Sequence, residues 1–130
     1  METVNGTLRK KHVLIVDDDI SLAWSLKATL EQDGYEATIV PHGGLALKFV
    51  QNHQLDAVVC DLQTSCVEGD LLYATIERSN PSLARRFVFI TGLDDYPQFQ
   101  KFIDTTALPA LYKPVALDVL RGEVMRVAER

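Results

Sequence analysis

The sequence predicts an α/β fold, a parallel sheet wound on both faces by helices. Three observations predict it. Short apolar, β-branched runs alternate five times with longer segments of helical spacing, the order that yields a parallel sheet with right-handed crossovers. The run 56–63, Asp-Ala-Val-Val-Cys-Asp-Leu-Gln, is apolar enough through its middle to be covered on both faces. Finally, 130 residues with 47% hydrophobic and 24% charged side chains suit one globular domain and are too few for two.

Residues 1–10 are polar and without periodicity, which predicts a flexible tail before a single domain over 11–130. A first strand is expected over 12–16, ending at Asp17, Asp18 and Asp19. A helix should follow to about Asp33, stopped by Gly34 as its C-terminal cap. Leu22, Ala23, Leu26 and Leu30 form its buried stripe, and Trp24 falls on the exposed side. Trp24 is read either as a ring laid across a neighbouring loop or as a docking anchor.

Segment 35–40 reads as the second strand, and Pro41-His42-Gly43-Gly44 as a turn. Leu45, Ala46, Phe49 and Val50 give 45–53 helical spacing. After the central strand and a loop over 62–67, a third helix is expected over 68–80. Its apolar side is Leu71, Leu72, Thr75 and Ile76, and Asn80-Pro81 ends it. The fourth strand is 86–90, and a helix over 96–105 turns Phe99, Phe102 and Ile103 inward. The fifth strand, 109–112, delivers Lys113-Pro114. A last helix to about Ala128 buries Leu117, Leu120, Val124 and Val127.

The net charge of −5 argues against direct nucleic-acid binding, which needs a basic face. The one basic cluster, Arg9-Lys10-Lys11, reads as a solvating tail. No apolar run reaches the length of a membrane span, and the N-terminus lacks a signal-peptide core. Cys60 falls in a buried strand and Cys66 close by, which suggests free thiols and a reducing, cytoplasmic setting.

The chemistry gathers at the strand ends. In an open α/β sheet, ligands bind outside the carboxyl ends of the strands. Here those ends carry Asp17–Asp19, Asp61, Thr91 and Lys113. Clustered carboxylates stay ionised most easily around a hard divalent cation, and Mg²⁺ suits one or two carboxylates with water and phosphate oxygens. An Asp beside such an ion can take a phosphoryl group as an aspartyl phosphate. Charge on the transferring group calls for a cation such as Lys113 and a hydroxyl such as Thr91. Helix initiation would by itself account for the triple Asp, but not for Asp61, Thr91 and Lys113 at the same end.

Val16-Asp17-Asp18-Asp19, Asp61-Leu62 with Gly69 eight positions on, Thr91-Gly92 and Lys113-Pro114 together resemble a response-regulator receiver domain of two-component phosphorelay signalling, in the CheY-like superfamily. The resemblance covers nearly all of 11–128. It implies a five-stranded, flavodoxin-like sheet of strand order 2-1-3-4-5. It implies Asp61 as phosphoacceptor from a histidine kinase or histidine phosphotransfer protein, with an unknown downstream protein target. Mg²⁺ would be held by Asp18, Asp61 and the backbone carbonyl of Gln63, with Asp17 acting through water. Thr91 and Lys113 would engage the phosphoryl group. The protein would then be a signalling phosphoacceptor that catalyses only its own phosphotransfer and dephosphorylation.

The sequence departs from the family pattern in three places. Thr64 and Ser65 stand where a Met-Pro pair is usual, and Leu93 replaces a commonly polar residue. Ala110 occupies the site of a switching aromatic, and Tyr112 is expected on the opposite face from it. These departures motivate one alternative, a receiver-like interaction module that does not switch. A flavin binder of the same architecture is disfavoured, because its phosphate would meet carboxylates. The chain stops soon after the last helix, which gives the expectation of a domain without an output module.

Overall fold

The computed structural model describes residues 3–4, 7–63, 69–92 and 96–130. Strands β3 (His12–Val16), β4 (Glu36–Val40), β5 (Ala57–Asp61), β6 (Phe87–Thr91) and β7 (Ala110–Tyr112) form one parallel sheet in the order β4-β3-β5-β6-β7. Numbered within that sheet, this is 2-1-3-4-5. β3, β5 and β6 are buried along their whole length, as expected of inner parallel strands covered on both faces.

Helices α1 (Ile20–Gln32) and α6 (Leu117–Ala128) cover one face. Ala23, Leu26 and Leu30 of α1 meet Leu120, Val124 and Val127 of α6 over Val13, Ile15, Val59, Val88 and Ile90. The other face carries α2 (Gly43–Asn52), α3 (Gly69–Ser79), the short α4 (Pro81–Ala84) and α5 (Tyr96–Thr106). There Leu72, Tyr73, Ile76, Phe99 and Ile103 pack on Leu14, Val58, Phe87 and Phe89. The alternation of side chains along each strand feeds the two cores.

Several elements differ from expectation. α2 starts at Gly43 because the His42 ring accepts from the Leu45 amide as an N-cap, so the Pro-His-Gly-Gly run is only partly a turn. Asn80-Pro81 ends α3 but also begins α4. Asn80 caps the Leu83 amide and Pro81 occupies the first turn, where its missing N–H costs nothing. Leu45, Leu71 and Leu117 are exposed. Tyr73, not singled out by spacing, lies within ring-packing distance of Phe87, Phe89 and Phe102.

Ahead of the parallel sheet lie two short strands and the basic cluster. β1 (Thr3–Val4) and β2 (Thr7–Leu8) pair antiparallel. The basic cluster is not simply solvated. Arg9 grips Asp56 with two bonds of 3.1 Å, and Lys11 donates to the Ala128 carbonyl at 3.0 Å. Among the described residues, no helix is long and apolar enough to cross a membrane.

Candidate functional site at the carboxyl edge of the sheet

Strand register builds the site. Val16 lies level with Cys60, so Asp17 and Asp61, each one residue further on, emerge side by side. Ile90 is level with both Asp61 and Leu111, which brings in Thr91, and Lys113 one residue past Tyr112. The Lys113 amide donates to the Thr91 carbonyl at 3.0 Å, and the Lys113–Pro114 peptide bond is cis.

Asp61 is almost wholly buried and anchored at both oxygens. Oδ2 receives the Lys113 ammonium at 2.9 Å, and Oδ1 receives the Gln63 backbone amide at 2.9 Å. Burial alone would lower the Lys113 pKa. The Asp61 carboxylate outweighs it, helped by Asp17 and Asp19, and holds the ammonium above its ordinary value.

The three successive aspartates divide their work. Asp19 is the N-cap of α1, accepting from the Leu22 amide at 3.1 Å, which satisfies one of the helix's open donors. Asp18 is exposed. Asp17 is 1% exposed; its Oδ1 accepts from the Asp19 amide at 2.8 Å. Its Oδ2 is, among the described residues, the one buried side-chain oxygen or nitrogen without a hydrogen-bond partner. Burial first, and then the neighbouring Asp61 charge, push the Asp17 pKa up to about 7. The helix-initiation reading therefore holds for Asp19 and fails for Asp17.

Asp17, Asp18 and Asp61 each offer a carboxylate oxygen, and the three atoms lie within 4.8 Å of one another. An all-oxygen donor set with an orphaned buried oxygen fits a hard cation. Thr91 is buried at the end of β6, where its hydroxyl donates to the Gly92 carbonyl at 3.3 Å. Asp17, Asp18, Asp61, Gln63, Thr91 and Lys113 are thus brought to one edge.

Thr64, Ser65, Cys66 and Leu93 lie outside the described residues. Ala110 is half-buried against the aromatic core. The expectation for Tyr112 is corrected: Ala110 pairs with Phe89 and Tyr112 with Thr91. Residues two apart on a strand share a face, so Tyr112 lies on the same face as Ala110, beside Thr91.

One contributor went unassigned in the sequence. Gly69 opens α3 directly against the end of β5, where an added Cβ would stand 2.8 Å from the Asp61 carbonyl oxygen. Its position at the start of a helix, after a loop leaving the Asp61 strand, is the available signal.

Carboxylates, a hydroxyl and an ammonium gathered at the carboxyl edge of a 2-1-3-4-5 parallel sheet point to a class of protein. The family model for the response regulator receiver domain matches residues 13–125, and the chain belongs to that family. It is 30% identical over 110 residues to the transcriptional regulatory protein ZraR of Escherichia coli (strain K12), covering 85% of this chain and 24% of that protein. It is 27% identical over 118 residues to the response regulator MprA of Mycobacterium sp. (strain KMS), covering 91% and 50%. The chain thus spans a quarter to a half of these relatives' lengths. A CheY-like receiver domain protein from Methanospirillum hungatei superposes with a TM-score of 0.81 at 25% identity, over 93% of this chain and 95% of the other. The chain is therefore a signalling domain. The expectation of no nucleic-acid contact gains no support from a relative named as a transcriptional regulator.

Proposed function

We propose that this domain accepts a phosphoryl group from a phosphohistidine donor onto the Asp61 carboxylate and carries it as a signal. The observation that supports this reading is the state of Asp61. It is buried, held at one oxygen by Lys113 and at the other by the Gln63 amide, beside Asp17 and Asp18.

In the reaction an Asp61 oxygen attacks phosphorus. An O–P bond forms and the P–N bond breaks. Its electron pair stays on the imidazole nitrogen of the donor, which ends as neutral imidazole after proton exchange with water. Asp18, Asp61 and the Gln63 backbone carbonyl would hold a Mg²⁺ ion, with Asp17 acting through water. When bound, that ion supplies the positive charge that lets neighbouring carboxylates remain ionised beside an incoming phosphoryl group. Lys113 is placed to exchange its carboxylate partner for a phosphoryl oxygen. The Thr91 hydroxyl, bonded at 3.3 Å to a carbonyl one residue away, is free to turn its proton toward another. Such a hydroxyl movement at a strand end biases the adjoining loop and α5.

The donor on this reading is a histidine kinase or a histidine phosphotransfer protein, and the location is the cytoplasm. The non-switching alternative assigns no task to the Asp61–Lys113 contact or to the unpartnered Asp17 oxygen, so the phosphoacceptor reading is preferred.

Intact-mass measurement after incubation with acetyl phosphate tests it. The expected result is a gain of one phosphoryl group that requires Mg²⁺ and disappears in Asp61→Asn. A wild-type protein that stays unmodified, or an Asp61→Asn variant labelled equally, would overturn the assignment.

A further inference from the structure

The end of β5 and the beginning of α3 meet more closely than side chains permit. The Gly69 amide donates to the Leu62 carbonyl at 2.9 Å, one residue past Asp61. A Cβ on Gly69 would lie 2.8 Å from the Asp61 carbonyl oxygen, 2.8 Å from the Leu62 Cα and 2.9 Å from the Cys60 Sγ. At such distances something has to move, and two of the three atoms are backbone. The third belongs to a fully buried side chain. Gly34 is the glycine with positive φ among the described residues, so backbone conformation does not require glycine at 69. Space does.

The atoms that would be displaced carry the site. Asp61 keeps its carboxylate between two fixed donors, the Gln63 amide and the Lys113 ammonium, each at 2.9 Å. Displacing the Asp61–Leu62 backbone moves the carboxylate and the Gln63 amide and carbonyl relative to Lys113 and Asp17, which stand on other strands.

We propose that Gly69 is a positioning residue. Its missing side chain sets the separation between α3 and the strand end, and so holds Asp61 and Gln63 where a cation and a phosphoryl group are to be received. The proposal rests on the phosphoacceptor reading of Asp61, and it reaches the chemistry only through Asp61 and Gln63.

The test compares full-length Gly69→Ala with Gly122→Ala, a helical glycine whose Cβ would meet open space. Four quantities are read: the thermal melt, the metal-free NMR shift of the Gln63 amide, the Mg²⁺ dissociation constant by calorimetry, and the rate of phosphorylation by acetyl phosphate. Gly69→Ala is expected to melt cooperatively, to shift the Gln63 amide without metal, and to weaken Mg²⁺ binding by roughly tenfold or more, as loss of a supporting group does. Its phosphorylation rate at saturating Mg²⁺ should also fall, while Gly122→Ala matches wild type in every site readout. Adding Cys60→Ala to Gly69→Ala should not restore binding, because the backbone contacts remain.

A folded Gly69→Ala protein with wild-type Gln63 shift and Mg²⁺ affinity would overturn the proposal. So would loss of the cooperative melt, which would make Gly69 a determinant of the fold. Full recovery in the double variant would also overturn it. If wild type itself takes no phosphoryl group, the phosphoacceptor reading fails, while the metal-free Gln63 shift still judges Gly69.

Discussion

Asp17 and Asp56 stand at opposite edges of the same sheet, both carboxylates and both buried, yet their surroundings are opposed. At the amino edge Asp56 receives the Arg9 guanidinium at 3.1 Å through both oxygens and the His12 amide at 2.8 Å. Burial works to raise its pKa, but Arg9 and His12 hold it below the usual carboxylate value. At the carboxyl edge Asp17 has one amide for one oxygen and nothing for the other, and its pKa rises to about 7. One edge is satisfied and the other is left with unspent binding capacity. Along the strand axis the amino edge joins the N-terminal segment to the sheet through fully bonded groups, and the carboxyl edge holds a buried carboxylate oxygen without a hydrogen-bond partner.

The sharpest way to break this comparison is to remove the satisfied carboxylate. Asp56→Ala removes both carboxylate bonds from a mostly buried guanidinium and the acceptor of the His12 amide, and should cost about 3 kcal/mol, read as the urea unfolding free energy. A loss no larger than that of an ordinary surface change would show that the Arg9–Asp56 pair does not form in solution. The opposite sign is expected at the other edge. Asp17→Asn removes a charge buried beside Asp61 and should stabilise the metal-free protein at pH 7, the direction set by a pKa raised from 3.8 to about 7 at about 1.4 kcal/mol per unit. It should also reduce the further stabilisation that Mg²⁺ gives the wild type.

The two carboxylates should also respond to pH in opposite directions. Asp17 has a folded pKa near 7, above the 3.8 of the unfolded chain. Its contribution to stability is therefore fully present below 3.8 and is lost as pH rises toward 7. The advantage of Asp17→Asn over metal-free wild type should accordingly grow between pH 4 and 7; an advantage independent of pH would mean Asp17 is not protonated there. Asp56, with its folded pKa depressed, contributes above 3.8 and loses that contribution as pH falls. The smallest effect belongs to a residue on neither edge. Trp24 is 59% exposed, and Trp24→Ala should alter stability by no more than about 0.5 kcal/mol. A larger loss in thermal melts would reveal packing that its exposure hides.

Most of the carboxyl edge was legible from the sequence, because its residues sit one step beyond strands whose hydrophobic runs mark their own ends. Asp17, Asp61, Thr91 and Lys113 needed only the parallel sheet to be brought together. The amino edge was not legible. Arg9 and Asp56 lie 47 positions apart, and nothing local in Arg9-Lys10-Lys11 distinguishes a latch from a solvated cluster. α4 was hidden by the double meaning of Pro, which ends one helix and starts the next. Helical spacing includes Leu45, Leu71 and Leu117 in the apolar stripes, yet all three are exposed, because an apolar residue at the border of such a stripe is often left in solvent. Gly69 was visible only as a letter in a motif, since the need for glycine there comes from a strand and a helix meeting in space.

The bond from Lys11 to the Ala128 carbonyl and the one from Arg86 to the Arg130 carbonyl, 3.0 and 2.6 Å, tie the starts of β3 and β6 to the end of α6 at the amino edge. A surface, tag or fusion partner tethered at Lys10 or at Arg130 would hold the domain by that pole. The Asp61 cluster would then face outward, accessible to whatever arrives from solution.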